Sequence, residues 1–117
     1  MVAAVVYGGY AVGVALFHAQ HSFEEGYVRR AAEWSFEDAA FKGSSRVVVP
    51  RCLKWAFMGI EYHHIHHYDP KVPVYRLQAC HEDGDPAFWA DVTIIGYGDW
   101  PRVLRTTRYD EARGKFT

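Results

Sequence analysis

Charge is missing from the first 23 residues: no Asp, Glu, Lys or Arg precedes Glu24, and all 13 basic residues follow Val28. A secretory signal needs a basic segment ahead of its apolar core, so the start of this chain lacks one of that signal's parts. Cysteine is scarce, with Cys52 and Cys80 alone and no CxxC pair. That excludes a disulfide framework and a cysteine-built zinc site, and it suits reduced thiols in a domain facing the cytosol. Acidic residues number 14 against the 13 basic ones, and past Val28 the two signs are interspersed. No basic face for nucleic acid and no charged disordered tail follows from such a balance. Internal repeats and low-complexity linkers are also absent, and 117 residues suit one small domain.

Apolar residues fill the uncharged start. Residues 2–17 form a continuous stretch interrupted by Gly8, Gly9 and Gly13. Three readings compete for it: a signal peptide, a buried core helix and a transmembrane helix. Glycines are costly in the interior of a soluble helix and tolerated in a membrane helix. Basic residues downstream would hold the following chain in the cytoplasm. The transmembrane reading is therefore the strongest of the three. As a helix the stretch covers roughly 24 Å, short of the ~30 Å hydrocarbon core, so the span is expected to begin upstream of Met1. The high aromatic content, four Trp and eight Tyr among them, fits a packed core and equally a belt at a membrane interface.

Beyond the stretch, Ser22-Phe-Glu-Glu25 has the form of a capping box and predicts a helix from about Phe23. Ser35 with Asp38 predicts a second start and Gly43 a stop. Ser44–Val49 reads as extended, and Pro50 suits the first turn of a helix running from Arg51 to about His67, ended by Asp69-Pro70. Another short helix is expected over Tyr75–Glu82, closed by Gly84-Asp85-Pro86. Apolar helical pieces follow to residue 106, broken at Gly96–Gly98 and Pro101, and the last ten residues are charged and expected to be exposed.

Four of the seven histidines fall within five positions, at 63, 64, 66 and 67. On a helix His63, His66 and His67 stand at i, i+3 and i+4 and share a face, with His64 about 100° round from His63. Converging neutral imidazoles suit Zn, Cu, Fe or Ni. The plain alternatives are adventitious metal binding and a solvated polar face. His18 and His21 sit where the apolar stretch meets the polar chain. His21 is the better ligand candidate, and an interfacial polar role competes for His18. Glu24, Glu25, Glu61 and Asp69 lie near these histidines in sequence. They are candidates to orient an imidazole through its ring N–H, and equally to serve as caps and surface charges. His81 reads as a residue of a helix C-terminus rather than a ligand.

The segments Phe17-His-Ala-Gln-His-Ser-Phe-Glu-Glu25, Gly43-Ser-Ser45, Pro50 with Trp55, and Gly59-Ile-Glu-Tyr-His-His-Ile-His-His-Tyr-Asp-Pro-Lys-Val-Pro73 resemble the C-terminal third of membrane fatty acid desaturases. The resemblance continues through Val74-Tyr-Arg-Leu-Gln-Ala-Cys-His-Glu82 and to Arg108-Tyr-Asp-Glu-Ala-Arg-Gly114, covering nearly the whole chain in order. It is nearest the methyl-end branch, which inserts Δ12 or ω-3 double bonds into acyl lipids. The resemblance implies a di-iron, O2-dependent enzyme held at the cytosolic face of a membrane, with electrons from cytochrome b5 or ferredoxin. By position His63, His66 and His67 match the ligands of the third histidine box, and His21 matches a further ligand near the end of the last membrane helix. His18, His64, Glu24, Glu61 and Asp69 are left as supporting candidates.

The implied architecture is mostly α: a transmembrane helix over 1–21, then a small helical cytosolic cap over 22–117 that carries the third box. Its partners would be an acyl-lipid substrate, the membrane, an electron-donor protein and a chain carrying the missing boxes; nucleic acid is not among them. The family has two earlier histidine boxes and more membrane helices, and neither is present. Phe17 stands where some relatives place a metal-contacting Asn. The expectation is a fragment that binds one metal at most weakly and does not desaturate alone. The alternative is a membrane-anchored module that binds a single Zn or Fe without catalysis. A hydroxylase or ketolase of the same superfamily fits the Val-Pro-x-Tyr-Arg-Leu-Gln segment less well.

Overall fold

The computed structural model describes residues 1–117. Helix α1 runs over Val2–His21, about 30 Å at the usual rise, which is the thickness of a bilayer core. From Val2 to Val14 every residue is exposed, because nothing else in the chain reaches that length of helix. It is the one helix long and apolar enough to cross a membrane. The remainder folds around its C-terminal end and is mostly helical with short strands.

Local chemistry explains the cap's elements. Helix α2, Phe36–Lys42, starts where the Ser35 hydroxyl accepts from the Asp38 N–H at 3.3 Å, and it stops at Gly43. Strand β1, Ser45–Val47, follows within the stretch expected to be extended. Helices α3, Lys54–Phe57, and α4, His63–Tyr68, come next, and Asp69 caps the latter. Helix α5 covers Leu77–Asp83.

Three expectations change. No helix starts at Phe23, because Ser22 is already used as the C-cap of α1, its N–H bonded to the His18 carbonyl at 2.7 Å. Phe23 instead turns inward and is buried. The single helix expected over 51–67 is broken, since Met58 (φ 54°) and Gly59 (φ 101°) turn the chain between α3 and α4. Thr93–Ile95 forms strand β2 rather than a helical piece, and it pairs in parallel with β1, Ser45 opposite Thr93 and Val47 opposite Ile95. A short helix, α6, follows at Trp100–Val103. The charged tail stays on the surface, as expected, and forms a hairpin of β3, Tyr109–Asp110, and β4, Lys115–Phe116. The Phe116 N–H donates to the Glu24 carbonyl at 2.9 Å, and Glu24 itself pairs with Arg102 at 3.1 Å and Lys115 at 2.5 Å.

The main core joins Ala19 and Phe23 to Val47, Val49, Ile95 and Val103, with Leu16, Phe57 and Trp100 packed against it. Three polar ties fasten the end of α1 into this cap. Gln20 Nε2 donates to the Ile60 carbonyl at 2.8 Å, Ser45 Oγ to the Ala19 carbonyl at 2.9 Å, and His18 Nε2 to the Val103 carbonyl at 3.0 Å. These bonds set the height of the cap relative to the apolar helix.

Gly59 is the backbone position that directs α4. A Cβ there would lie 2.5 Å from the Val74 carbonyl oxygen, in a conformation that side chains rarely adopt. Gly59→Ala is expected to cost about 2 kcal/mol or more. Gly98, with open space around it, provides the neutral comparison. Thermal melts of Gly59→Ala and Gly98→Ala in detergent test this, and equal midpoints would refute it.

Candidate metal centre

Helix α4 is two turns of His-His-Ile-His-His-Tyr, held by what its two sides touch. Ile65 is buried with Tyr62 and Leu77, while Tyr68 stacks on Phe41 of α2 with centroids 4.9 Å apart. That orientation places His63 and His67, one turn apart, toward the last residue of α1. His63 Nε2 lies 3.0 Å from His21 Nε2 and 3.2 Å from His67 Nε2. Ring nitrogens of the three histidines all fall within 4.8 Å of one another. Two ligand nitrogens at 2.0–2.1 Å from a tetrahedral metal stand about 3.3 Å apart, so the observed spacings suit one ion.

Electrostatics favours the ligand form. Burial, then the neighbouring His67, His21 and His66 rings, lowers the His63 pKa to about 3. Burial, followed by His21 and His66, lowers that of His67 as well. Both imidazoles are therefore neutral at neutral pH, the form in which a ring nitrogen can give its lone pair to a cation. His63 Nδ1 and Glu61 Oε2 are buried without a hydrogen-bond partner, in a chain whose other buried polar side-chain atoms, His64 Nδ1 aside, are satisfied. Such atoms are the sort that a bound ion's surroundings or a further protein segment would engage.

The other candidates are placed as follows. His66 is exposed, its ring centroid 5.5 Å from that of His63, and it is not part of the converging trio. His18 is occupied by the Val103 carbonyl. Glu61 is buried, and its carbonyl accepts from the Val47 N–H at 3.0 Å. Asp69 accepts from the Lys71 N–H at 3.0 Å and so closes the turn after α4. Glu24 belongs to the ion pairs described above, where Lys115 and then Arg102 hold its carboxyl below the usual range. Glu25 is exposed.

His64 belongs to a different assembly, which sequence reasoning did not anticipate. It is fully buried, with Nε2 3.0 Å from His81 Nδ1, and His81 Nε2 stands 3.4 Å from an Arg46 guanidinium nitrogen. Arginine can only donate, so His81 accepts at Nε2 and donates from Nδ1 to His64 Nε2. The lone pairs of both rings are thereby used within the protein, and a cation would sit beside Arg46. Trp89 stacks on His81, centroids 5.5 Å apart, and its indole N–H donates to the His81 carbonyl at 3.1 Å. One signal for this pair was legible: the 100° offset of His64 from His63 puts it on the core side of α4. Nothing in the sequence pointed to Arg46.

The site thus combines an apolar helix of membrane length with a three-imidazole cluster at its end. A family model described as fatty acid desaturase matches residues 1–94. The chain belongs to the fatty acid desaturase family. Among curated proteins, a "Fatty acid desaturase" of Bacillus subtilis (strain 168) is 45% identical over 75 residues, which is 64% of this chain and 21% of that protein. The chain therefore spans about a fifth of that relative's length. No solved structure matches it. The desaturase match takes in His21 and all of α4, and it ends at Ile94 within β2. Helix α6 and the β3–β4 hairpin, which secure His18 and Glu24, lie beyond it.

Proposed function

We propose that the chain is the C-terminal, metal-binding part of an acyl-lipid desaturase of the methyl-end Δ12/ω-3 type. The observation that carries this reading is the convergence of His21, His63 and His67 at the end of an apolar helix, within a chain of the desaturase family. In this reading His21, His63 and His67 would hold one iron, and exposed His66 would contribute to a second together with histidine boxes outside the chain. Bound there, iron would supply the chemistry for O2-dependent removal of hydrogen from an acyl chain, with electrons from cytochrome b5 or ferredoxin. The chain's own residues bind and orient: α1 anchors the site beside lipid, α4 presents the imidazoles, and Glu61 with the His63 ring N–H is available to fix their orientation. Residues 1–21 cross the membrane and 22–117 form a cap on the cytosolic side, where the downstream basic residues are favoured. Alone the cap does not desaturate, since the trio furnishes one ion site and a di-iron centre needs more ligands.

A single-metal module without catalysis is the second reading, favoured by the convergence of three imidazoles, enough for one ion, within this chain. A chimera separates the two. The matching 75-residue stretch of the Bacillus desaturase is replaced by that of this chain, in a host lacking desaturase. Unsaturated fatty acids should appear in the host's lipids, and His63→Ala should remove them. A folded chimera that takes up metal and yields no unsaturated product would favour the module.

A further inference from the structure

The seating of the cap on the bilayer rests on the reading of α1 as a membrane span. Two exposed apolar projections flank the end of that helix. On one side, the segment from Arg51 to Met58 exposes Leu53, Trp55 and Met58, with Trp55 79% accessible although it is the largest side chain there. On the other side, Leu104 is exposed just after α6, next to Arg105. Their depth is fixed by hydrogen bonds already described. Gln20 holds the Ile60 carbonyl two residues after Met58, and His18 holds the Val103 carbonyl one residue before Leu104. His18 and Gln20 differ by about 3 Å along the helix axis, so both projections are attached at nearly the same level of α1. Phe57, packed against the core with Leu16, keeps the first segment beside the helix.

That level is where α1 changes from exposed apolar residues to buried and polar ones, which is the height of a membrane interface. Tryptophan is enriched at that boundary, and basic residues beside it are attracted to anionic headgroups. Exposed Arg51 borders the first projection and Arg105 the second. We propose that the Arg51–Met58 segment and Leu104 are a lipid-docking rim, seated in the headgroup region of an anionic bilayer with Trp55 as principal anchor. Docking on both sides of α1 would fix the tilt of the cap and hold the His21–His63–His67 cluster at a constant height above the lipid.

Cys52, an exposed free thiol inside the segment, is a native reporter position. The full chain carrying Cys80→Ala is labelled there with an environment-sensitive fluorophore and reconstituted in phosphatidylcholine–phosphatidylglycerol vesicles. A second sample carries the label on α1 as Val6→Cys, with Cys52→Ala and Cys80→Ala. Both labels should be quenched severalfold more by nitroxide-bearing lipid than by aqueous iodide, and Trp55→Ser should remove most of the lipid quenching at Cys52. Lipid quenching at Val6 with iodide quenching at Cys52 would overturn the rim and leave the span intact. Shielding of Cys52 from both quenchers would mean that protein covers the segment, again overturning it. Absence of lipid quenching at Val6 would refute the span and the rim together.

Discussion

Full-length chain carrying His63→Ala is expected to lose its bound metal, whereas His81→Ala keeps it. His63 stands in the middle of the trio, its Nε2 facing both His21 and His67, so its removal leaves two imidazoles with no third donor between them. Loss of a residue that merely orients a ligand costs 10–100-fold in affinity, and loss of the ligand itself should exceed about 100-fold. His81 binds Arg46 and His64 and should matter for packing alone. His66→Ala distinguishes one ion from two: the isolated chain should retain its metal, while the desaturase chimera should lose activity. Metal content of detergent-purified variants, measured after dialysis against buffered Zn or Fe, provides the readout. Equal losses in His63→Ala and His81→Ala would sink the assignment. So would retention of metal by His21→Ala, because the cluster would then not depend on α1.

Much of this arrangement was legible in the residues. Spacing placed His63, His66 and His67 on one face, and Ser35, Gly43 and Asp69 marked the ends of α2 and α4. The failures have physical causes. Ser22 could cap the end of one helix or the start of another, and sequence does not show which backbone N–H is left without a partner. The turn at Met58 and Gly59 brings Gly59 close against the Val74 carbonyl, a contact between distant parts of the chain. Thr93–Ile95 is too short for periodicity to declare it a strand, and it became one because β1 offered a parallel edge. Pairing of His64 with His81 likewise depends on where Arg46 is carried by β1. His66, grouped with His63 and His67 by spacing, is exposed with its ring 5.5 Å from that of His63, while His63 and His67 face the end of α1.

Acid should unfold the metal-free cap well above the carboxylate range. His63 and His64 each have a folded-state pKa lowered to about 3, chiefly by burial, against about 6.5 in an unfolded chain. The unfolded state therefore binds two more protons than the folded state between those values. Stability contributed by keeping these rings neutral is fully present above pH 6.5 and is lost as pH falls toward 3. Two protons correspond to a slope of about 2.7 kcal/mol per pH unit within that window, and His67 and His81, also lowered by burial, add to it near its upper end. The carboxyls of Glu24 and Asp99 are held below their ordinary values by their hydrogen-bond and ion-pair partners, so their contribution enters at the acid end of the window. Trp89 lies 5.3 Å from the His64 ring and reports the region directly through its fluorescence. Denaturant titrations in detergent with a chelator present, repeated at half-unit pH steps, give the slope. His64→Gln should reduce it by about 1.4 kcal/mol per pH unit, the value of one proton. Stability that stays level from pH 7 to 4.5 would show that these histidines are hydrated in the folded chain, and the neutral trio would lose its physical basis.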